Sequence, residues 1–258
     1  MQSLTPDLPW LEPGQSFPST KLTWKANSPA PGLLAAGGSL DTATLCQAYR
    51  LGIFPWFAKN EPILWWSPDP RMVLEISNFK LHRSLKKTLT KFRDSPDCEI
   101  RIDTAFDQVI GACSTSPRQG QKGSWIVPEM ISAYGALHKA GLAHSVETWM
   151  NGKLTGGLYC VAIGKAVFGE SMFSRSTDAS KIALAALVSF GKKNDIKQID
   201  CQQNTAHLAT LGAGVIPREK FIANIELSIE DATPDWAFDP LDWQYLLSSP
   251  EDQHVRPQ

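Results

Sequence analysis

The alternation of apolar and polar residues is clearest in the second half of the chain. Residues 143–150, AHSVETWM, alternate as a half-buried β-strand does, and Asn151–Gly152 is a strong signal for a two-residue hairpin turn. Residues 153–164 return as a second strand, and a further glycine turn leads to a third strand over 166–173. The pattern therefore predicts a three-stranded antiparallel meander.

Apolar residues recur at helical spacing in the first half. Residues 39–52, SLDTATLCQAYRLG, predict a helix that is capped by Ser39 or Asp41 and ends at Gly52. Residues 78–94, NFKLHRSLKKTLTKFRD, predict a second helix with Leu81, Leu85, Leu89 and Phe92 on one stripe. Between these helices, residues 62–76 read as an aromatic strand that two prolines interrupt.

The remaining elements are assigned from caps and apolar stripes. Residues 176–194 predict a helix capped by Ser176 or Thr177. The other predictions are a helix over 103–114, a helix that opens at Pro128, a strand over 196–202 and a short helix over 205–213.

Composition narrows the class of protein. The chain has 258 residues, 43% hydrophobic and 20% charged, with a net charge of −1, which suits one large globular domain or two modest ones. No apolar run approaches the roughly 20 residues of a membrane span, and residues 1–10 lack a signal-peptide pattern. Five scattered cysteines without a CxxC pair suit a reducing compartment, so we expect a cytoplasmic protein.

Prolines suggest the domain organisation. Residues 1 to about 34 are rich in proline and predict irregular chain that wraps the surface or is partly disordered. Pro68 and Pro70 mark a possible domain edge. We therefore expect a small N-terminal domain over 1–69 and a catalytic domain over 70–258.

Charge is local on this nearly neutral chain. The predicted helix over 78–94 carries six cations and no acid before Asp94: Lys80, Arg83, Lys86, Lys87, Lys91 and Arg93. This face is either an ordinary solvated surface or a phosphate-binding surface. Aromatic residues cluster nearby in the sequence, namely Phe54, Trp56, Phe57, Trp65 and Trp66. Most of them would form a core, but exposed rings would stack on the bases of a single strand.

Polar residues interrupt two predicted strands. Glu170 lies inside the apolar strand AVFGESMF, and Asp200 and Gln202 alternate with Ile199 and Cys201. Alternation puts Asp200 and Gln202 on one face and Cys201 on the other, where it would be a packed thiol. The polar face either meets solvent or converges with Glu170 into a site.

Several familiar site types are missing from the sequence. The chain has no GxSxG, no GxxxxGK[ST] and no GxGxxG, so a serine hydrolase or a nucleotide phosphate loop is not indicated. Its five histidines form no triad pattern and show no metal-ligand spacing with cysteine. We expect neither a metal nor a cofactor.

The element order β-β-β-α-β-α resembles the core of the acyl-CoA N-acyltransferase (GNAT) fold. The fold class that we expect is α+β, with a GNAT-like catalytic domain preceded by a small N-terminal α/β domain. The Gly-rich CoA loop of ordinary acetyltransferases would fall at 174–180, where the chain has SRSTDAS. A protein of this fold with that loop would not take its acyl group from CoA.

Longer strings carry a more specific resemblance, over about residues 30 to 220. Taken together, in order and spacing, they resemble the bacterial leucyl/phenylalanyl-tRNA–protein transferase family: GIFPWF, LWWSPDPR, GSWI, GLAHSVETW, FGESMFSR and IDCQ. The resemblance implies transfer of Leu, Phe or, less well, Met from aminoacyl-tRNA to the N-terminal Arg or Lys of a protein, which marks that protein for N-end rule degradation. It also implies that aminoacyl-tRNA replaces acyl-CoA. We expect a cytoplasmic monomer that binds no membrane.

The resemblance also implies roles for individual residues. It assigns catalysis to Glu170, Asp200 and Gln202. It places Tyr49 and Trp56 at the tRNA 3′-terminal adenosine, and Trp125 and Tyr134 near the same end of the tRNA. It lines the pocket for the transferred side chain with Leu158, Met172, Leu187 and Ile199. Leu158 and Leu187 stand where relatives can carry Met and Phe, so the pocket stays apolar and its ranking of Leu, Phe and Met stays open. The basic helix would then bind the acceptor stem through Lys80, Arg83, Lys86, Lys87 and Lys91.

The chemistry needs only modest help from the protein. An aminoacyl ester is already activated, and an N-terminal amine has a pKa of roughly 7.7–8, so positioning and a mild proton acceptor suffice. Our hypothesis is that Asp200 orients the Gln202 amide, whose carbonyl accepts from the attacking amine, while Glu170 holds an ammonium group. The alternatives are a CoA-dependent N-acetyltransferase and a non-catalytic module that binds RNA ends.

Overall fold

The computed structural model describes residues 7–116 and 126–248. Within these residues, eleven strands form two sheets and eight α-helices pack on them. None of the helices in this part of the chain is long and apolar enough to cross a membrane.

The first sheet has four strands in the order β1-β2-β4-β3. Its strands are β1 (Trp10–Leu11), β2 (Leu33–Gly37), β3 (Phe54–Pro55) and β4 (Leu64–Trp66), and helix α1 (Thr42–Arg50) lies between β2 and β3 in the chain. Strand β1 pairs in parallel with Ala36 and Gly37. The prediction of irregular chain up to residue 34 was therefore wrong at β1, because two residues are too few to show an alternating pattern.

The second sheet has seven strands in the order β11-β5-β10-β9-β8-β7-β6. Its strands are β5 (Arg71–Glu75), β6 (Cys98–Ile102), β7 (Ala143–Met150), β8 (Lys153–Ile163), β9 (Ala166–Ser174), β10 (Gln198–Gln202) and β11 (Gly214–Ile216). The predicted meander β7-β8-β9 and its Asn151–Gly152 turn are confirmed. Strands β9 and β10 pair in parallel, whereas the other pairs of this sheet are antiparallel.

The two sheets divide the chain between Trp66 and Arg71. One core cluster nevertheless includes buried residues from both sheets, such as Trp65 and Tyr159. The division into two domains at residue 69 stays a prediction.

The helices that the sequence predicted are present. Besides α1, these are α2 (Arg83–Arg93), α3 (Phe106–Thr115), α4 (Pro128–Lys139), α5 (Ala179–Lys193) and α6 (Ala206–Thr210). Helices α7 (Arg218–Ile229) and α8 (Gln244–Leu247) were not predicted. Helix α2 begins later than predicted, so Lys80 and Leu81 precede it and only Leu85, Leu89 and Phe92 form its buried stripe.

The caps of two helices can be compared with the predictions. Asp41 caps α1, and its Oδ1 accepts from the Thr44 backbone N at 3.0 Å. Donation from the hydroxyls of Ser39 and Thr44 lowers the pKa of Asp41 to about 2. The predicted cap of α5 was wrong, because Asp178 occupies the N-cap with φ +62° and uses its carboxylate to pair with Lys181 at 2.8 Å.

The large sheet is buried on both faces. Along β8, Tyr159 and Val161 belong to one core cluster, whereas Leu158 and Cys160 belong to another. Because side chains of a strand alternate, one strand supplies both clusters. Helix α5 packs on β8 and β7 with an almost wholly buried apolar surface, and it forms one wall of the cavity described next.

Candidate active site

A cavity of about 680 Å³ opens beside β9 and β10. Four residues that were predicted to form an apolar pocket line it together: Leu158, Met172, Leu187 and Ile199. Leu158 and Met172 are direct partners on the neighbouring strands β8 and β9, and Leu187 comes from α5. The same cavity is lined by Glu170, Asp200 and Gln202, so an apolar wall and a polar group share one space.

Glu170 is the centre of the polar group. Its Oε1 accepts from the Tyr49 hydroxyl at 2.7 Å and from Gln202 Nε2 at 2.8 Å, and its Oε2 accepts from the Tyr134 hydroxyl at 3.0 Å. Burial raises the pKa of Glu170 to about 7, although these three donors act in the opposite direction. The carboxyl therefore exists in both protonation states near neutral pH.

The oxygens of Tyr49, Tyr134 and Glu170 form a closed ring of contacts. The two tyrosine hydroxyls lie 2.5 Å apart, and each also contacts one oxygen of Glu170. Two hydroxyl groups supply two protons, so each of the three contacts has its own proton only when Glu170 is protonated. The geometry thus agrees with the raised pKa of Glu170.

Tyr49 and Tyr134 hydrogen-bond to this carboxyl from within the protein core. Both are 0% exposed, and neither lines the cavity. Burial, followed by the nearby Glu170 charge, raises the pKa of each hydroxyl well above its ordinary value, so both stay protonated and can donate. That Tyr49 lies at the terminal adenosine of the tRNA, and Tyr134 near it, stays a prediction.

Strand β10 departs from simple alternation where it enters the cavity. Its register against β5 shifts between Asp200 and Gln202, and Gln202 has φ +60°. Ile199 and Cys201 pack against the same core cluster, as the two-faced pattern predicted, and all four residues from Ile199 to Gln202 line the cavity. The strained backbone at Gln202 turns its amide towards Glu170.

Asp200 is neutralised by an arginine that sequence reasoning missed. Arg71 binds it with two hydrogen bonds, from Nε to Oδ1 at 2.8 Å and from Nη2 to Oδ2 at 2.6 Å. Both side chains are almost completely buried. Asp200 Oδ1 also accepts from the Gln202 backbone N at 2.8 Å. The hypothesis that Asp200 orients the Gln202 amide is therefore corrected: the contact is to the Gln202 backbone, and Glu170 receives the side-chain amide.

The profile of the family described as leucyl/phenylalanyl-tRNA protein transferase matches residues 73–226, and the profile of its N-terminal domain matches residues 38–69. The chain belongs to this transferase family. Two curated relatives are named leucyl/phenylalanyl-tRNA–protein transferase. The one from Albidiferax ferrireducens is 62% identical over 96% of this chain and 98% of its own, and the one from Polaromonas sp. is 57% identical over the same shares.

The solved structures that resemble this transferase family member are much less similar to it than these two relatives are. A conserved protein of unknown function from Bacteroides thetaiotaomicron is 12% identical, covers 76% of this chain and 65% of its own, and has a TM-score of 0.40. The structure of L-PGS from Bacillus licheniformis gives a TM-score of 0.38 at 10% identity, over 67% of this chain and 56% of its own. Likenesses at this level carry no argument about the site.

The tryptophans that the sequence analysis singled out differ in their exposure to the cavity. Trp56 is half-buried, lines the cavity and packs edge-on against Trp66 with 5.4 Å between ring centroids. Trp65 is fully buried and donates from Nε1 to the Gly37 carbonyl at 2.9 Å, so it belongs to the core. Trp125 lies outside the described residues.

Cys201 lines the cavity but is a poor nucleophile. Burial raises the pKa of its thiol to about 12, so the reactive thiolate is scarce at neutral pH. His207, to which the sequence gave no role, is exposed and lines the same cavity. Among residues 7–116 and 126–248, no group of three or more His, Cys, Asp or Glu side chains is placed to hold a metal ion.

The basic residues are exposed, and the start of α2 is tied to the cavity. All five residues of the predicted tRNA surface are exposed, namely Lys80, Arg83, Lys86, Lys87 and Lys91. The backbone N of Lys80 donates to the Leu211 carbonyl at 2.8 Å, and His82 Nε2 lies 2.8 Å from the Thr210 carbonyl. Thr210 ends α6, the helix whose His207 lines the cavity, so the basic surface begins one short helix away from the site.

Proposed function

We propose that this chain transfers leucine, phenylalanine and, less well, methionine from aminoacyl-tRNA to the N-terminal Arg or Lys of proteins. The product would be marked for N-end rule degradation in the cytoplasm. Family membership and the names of relatives at 62% and 57% identity support the reaction. The observation that carries the proposal is that the apolar wall and the Glu170–Gln202 hydrogen bond line one cavity.

The apolar wall suits the transferred side chain. Leu158, Met172, Leu187 and Ile199 offer aliphatic and thioether surface without a charge. Leu, Phe and Met side chains gain free energy when they leave water for such a surface, at roughly 25 cal/mol per Å² of apolar area. A polar or charged aminoacyl group would lose its hydration there without gaining a partner.

A GNAT-like use of the large sheet is part of this proposal. Strands β7, β8 and β9 form a meander, α5 follows, and β10 returns parallel to β9. We propose that aminoacyl-tRNA takes the place of acyl-CoA between β9 and β10. The absence of a Gly-rich loop in residues 174–180, SRSTDAS, supports this choice of donor.

The reaction joins the acceptor amine to the activated acyl group. The amine nitrogen attacks the ester carbonyl carbon, the new C–N bond forms, the bond to the tRNA 3′ oxygen breaks, and that oxygen takes up the proton that the amine loses. Gln202 anchors its amide nitrogen on Glu170, which leaves its carbonyl oxygen to accept from the attacking amine. When ionised, Glu170 would hold an α-ammonium group beside it. Correct positioning can supply roughly 7–11 kcal/mol, so no covalent enzyme intermediate is required.

The RNA would be held on two surfaces. The half-buried Trp56 ring would stack on the terminal adenine, and the exposed cations of α2 would bind phosphates of the acceptor stem. The described part of the chain shows no ion pair that neutralises Arg83, Lys86, Lys87 or Lys91, so these charges are available. That the protein acts as a monomer stays a prediction.

The test compares acyl donors. An Arg-N-terminal peptide is incubated with labelled leucyl-tRNA, phenylalanyl-tRNA, methionyl-tRNA or acetyl-CoA, and the labelled peptide is quantified. We expect label from the three charged tRNAs, with the least from methionyl-tRNA, and none from acetyl-CoA. Acetylation from CoA would replace this proposal with an acetyltransferase, and tight binding of charged tRNA without transfer would leave an RNA-end binding module.

A further inference from the structure

Arg71 is the most enclosed cation in the described chain that contacts the site. Its side chain is 0% exposed, and its guanidinium lies over the rings of Phe54 and Phe221, at 4.8 and 4.6 Å from their centroids. Two aromatic rings and a bidentate carboxylate hold the guanidinium in one orientation. A side chain held in one orientation can fix the elements that it contacts relative to one another.

On one side Arg71 is connected to Gln202 through Asp200. It grips both oxygens of Asp200, and Asp200 Oδ1 in turn accepts from the Gln202 backbone N. This contact lies where β10 shifts register and Gln202 takes its positive φ. The pair therefore stabilises the conformation that directs Gln202 Nε2 to Glu170 Oε1.

On the other side Arg71 is connected to Tyr49 through Gly52. Its Nη1 donates to the Gly52 carbonyl at 3.2 Å. Gly52 follows the last turn of α1, and its backbone N donates to the Tyr49 carbonyl at 3.0 Å. Tyr49 then donates its hydroxyl to the same Glu170 oxygen that Gln202 reaches.

We infer that Arg71 is a positioning residue for the transfer reaction, which sets the two hydrogen-bond donors on Glu170 Oε1 through Asp200 and through the end of α1. This inference rests on the proposed function, and it changes the role of Asp200. The Asp200 carboxylate accepts hydrogen bonds from Arg71 and from the Gln202 backbone N. Asp200 therefore acts by positioning Gln202 and takes no proton from the substrate.

The chain offers a matched control in Arg218. This half-buried arginine on α7 also joins separate elements, because its Nη1 donates to Thr23 Oγ1 and to the Ser67 carbonyl at 2.5 and 2.6 Å. None of its hydrogen bonds reaches Asp200, Gly52 or Glu170. Arg218→Lys therefore reports the general effect of weakening a buried arginine between elements.

The first measurement separates kcat from KM in the transfer assay. Arg71→Lys keeps the charge and loses the bidentate grip, and we expect a loss of about 10²-fold in kcat with little change in KM for aminoacyl-tRNA, because the apolar wall and α2 are untouched. Arg218→Lys should keep the wild-type kcat. Equal kcat values for Arg71→Lys and wild type would overturn the inference.

A double-mutant cycle tests whether Arg71 acts through Gln202. In the Gln202→Ala background, Arg71→Lys should lower kcat less than it does in the wild-type background, since one of the two donors that Arg71 positions is already gone. Losses that multiply would show that Arg71 acts independently of Gln202 and would overturn the inference.

A replacement of the ion pair, Arg71→Met with Asp200→Val, controls for stability, because buried pairs can be exchanged for apolar residues without loss of stability. A stable double variant with wild-type kcat would contradict positioning, and a stable one with low kcat would support it.

A readout without activity keeps this inference separate from the proposed function. The pKa of the Glu170 carboxyl can be followed by carbon NMR of labelled glutamate, with Glu170→Gln used to assign the signal. Donors lower a carboxyl pKa, so loosening two of the three donors in Arg71→Lys should raise the pKa of Glu170, whereas Arg218→Lys should leave it unchanged. If wild-type protein transfers nothing, the proposed function fails, and an unchanged Glu170 pKa in Arg71→Lys would separately overturn the role of Arg71.

Discussion

Gln202 Nε2 donates a 2.8 Å hydrogen bond to Glu170 Oε1, although 32 positions separate the two residues in the chain. The parallel pairing of β9 with β10 explains the meeting. Asp200 lies opposite Phe168, and two residues further along each strand are Gln202 and Glu170. The bond joins the carboxyl with the raised pKa to the amide that we place at the attacking amine.

That bond makes Gln202 the first target for mutation. We expect Gln202→Ala to lower kcat by about 10²–10⁴-fold with little change in KM for aminoacyl-tRNA, because the lost group acts on the amine and not on the bound ester. Cys201→Ala should keep kcat, since burial keeps that thiol protonated. A folded but inactive Cys201→Ala beside an active Gln202→Ala would point to a covalent thioester route.

Glu170 should make the stability of the protein depend on pH. Its pKa rises from an ordinary 4.5 to about 7 on folding, so the folded protein binds the proton more tightly than the unfolded chain. This contribution to the free energy of unfolding is complete below about pH 4.5 and is lost as the pH rises through about 7, up to about 3 kcal/mol. Urea unfolding at pH 5 and pH 8 should show the loss for wild type relative to Glu170→Gln. An equal difference between the two proteins at both pH values would refute a raised pKa.

Elements with a local signal could be predicted from the sequence. The Asn151–Gly152 hairpin, the Asp41 cap of α1, most of the apolar stripe of α2 and the helix opened by Pro128 each depend on residues close together in the chain. Strand β1 could not be predicted, because its two residues form a strand only by pairing with Ala36 and Gly37, which are distant in the sequence. The Asp178 cap of α5 was missed because Ser176, Thr177 and Asp178 are consecutive residues that all favour the N-cap, so local preference does not choose among them.

The charges of α2 should matter for tRNA and not for a small donor. Changing Lys86, Lys87 and Lys91 to Glu should raise KM for aminoacyl-tRNA and flatten its salt dependence, because fewer counterions leave the RNA on binding. Aminoacyl-adenosine, which lacks the stem, should be used as well as before.

The control reverses the same number of charges on other elements, with Lys139, Lys153 and Lys220 changed to Glu; all three are exposed. We expect this control to keep the wild-type KM for aminoacyl-tRNA. Unchanged KM and salt dependence in the α2 variant would show that α2 is only a solvated face.

The pocket wall should set the choice of amino acid. Leu187→Ala removes side-chain volume from the wall and enlarges the pocket, and we expect kcat/KM for phenylalanyl-tRNA relative to leucyl-tRNA to rise about 10-fold, a common effect of small volume changes in apolar pockets. Leu89→Ala is the control, since Leu89 is fully buried in α2 and does not line the cavity. A ratio that changes in Leu89→Ala, or stays fixed in Leu187→Ala, would contradict the assignment of the wall.

The candidate site was predictable in part for a physical reason. Glu170, Asp200 and Gln202 stood out because each is polar within an apolar strand, and the structure brings all three to one cavity. Arg71 gave the same signal at the start of β5 and was missed, because only tertiary structure shows its partner 129 positions away. The register shift at Gln202 also depends on pairing with β5, so alternation along β10 alone could not predict it.

The most direct test of the transfer reaction uses acceptor peptides that differ only in their first residue. Labelled phenylalanyl-tRNA is mixed with wild-type protein at single turnover, and peptides that begin with Arg, Lys, Ala or acetylated Arg are analysed by mass spectrometry. We predict one phenylalanine on the α-amine of the Arg and Lys peptides and none on the other two. No phenylalanine on any peptide, or equal labelling of the Ala peptide, would contradict the function proposed for this cavity.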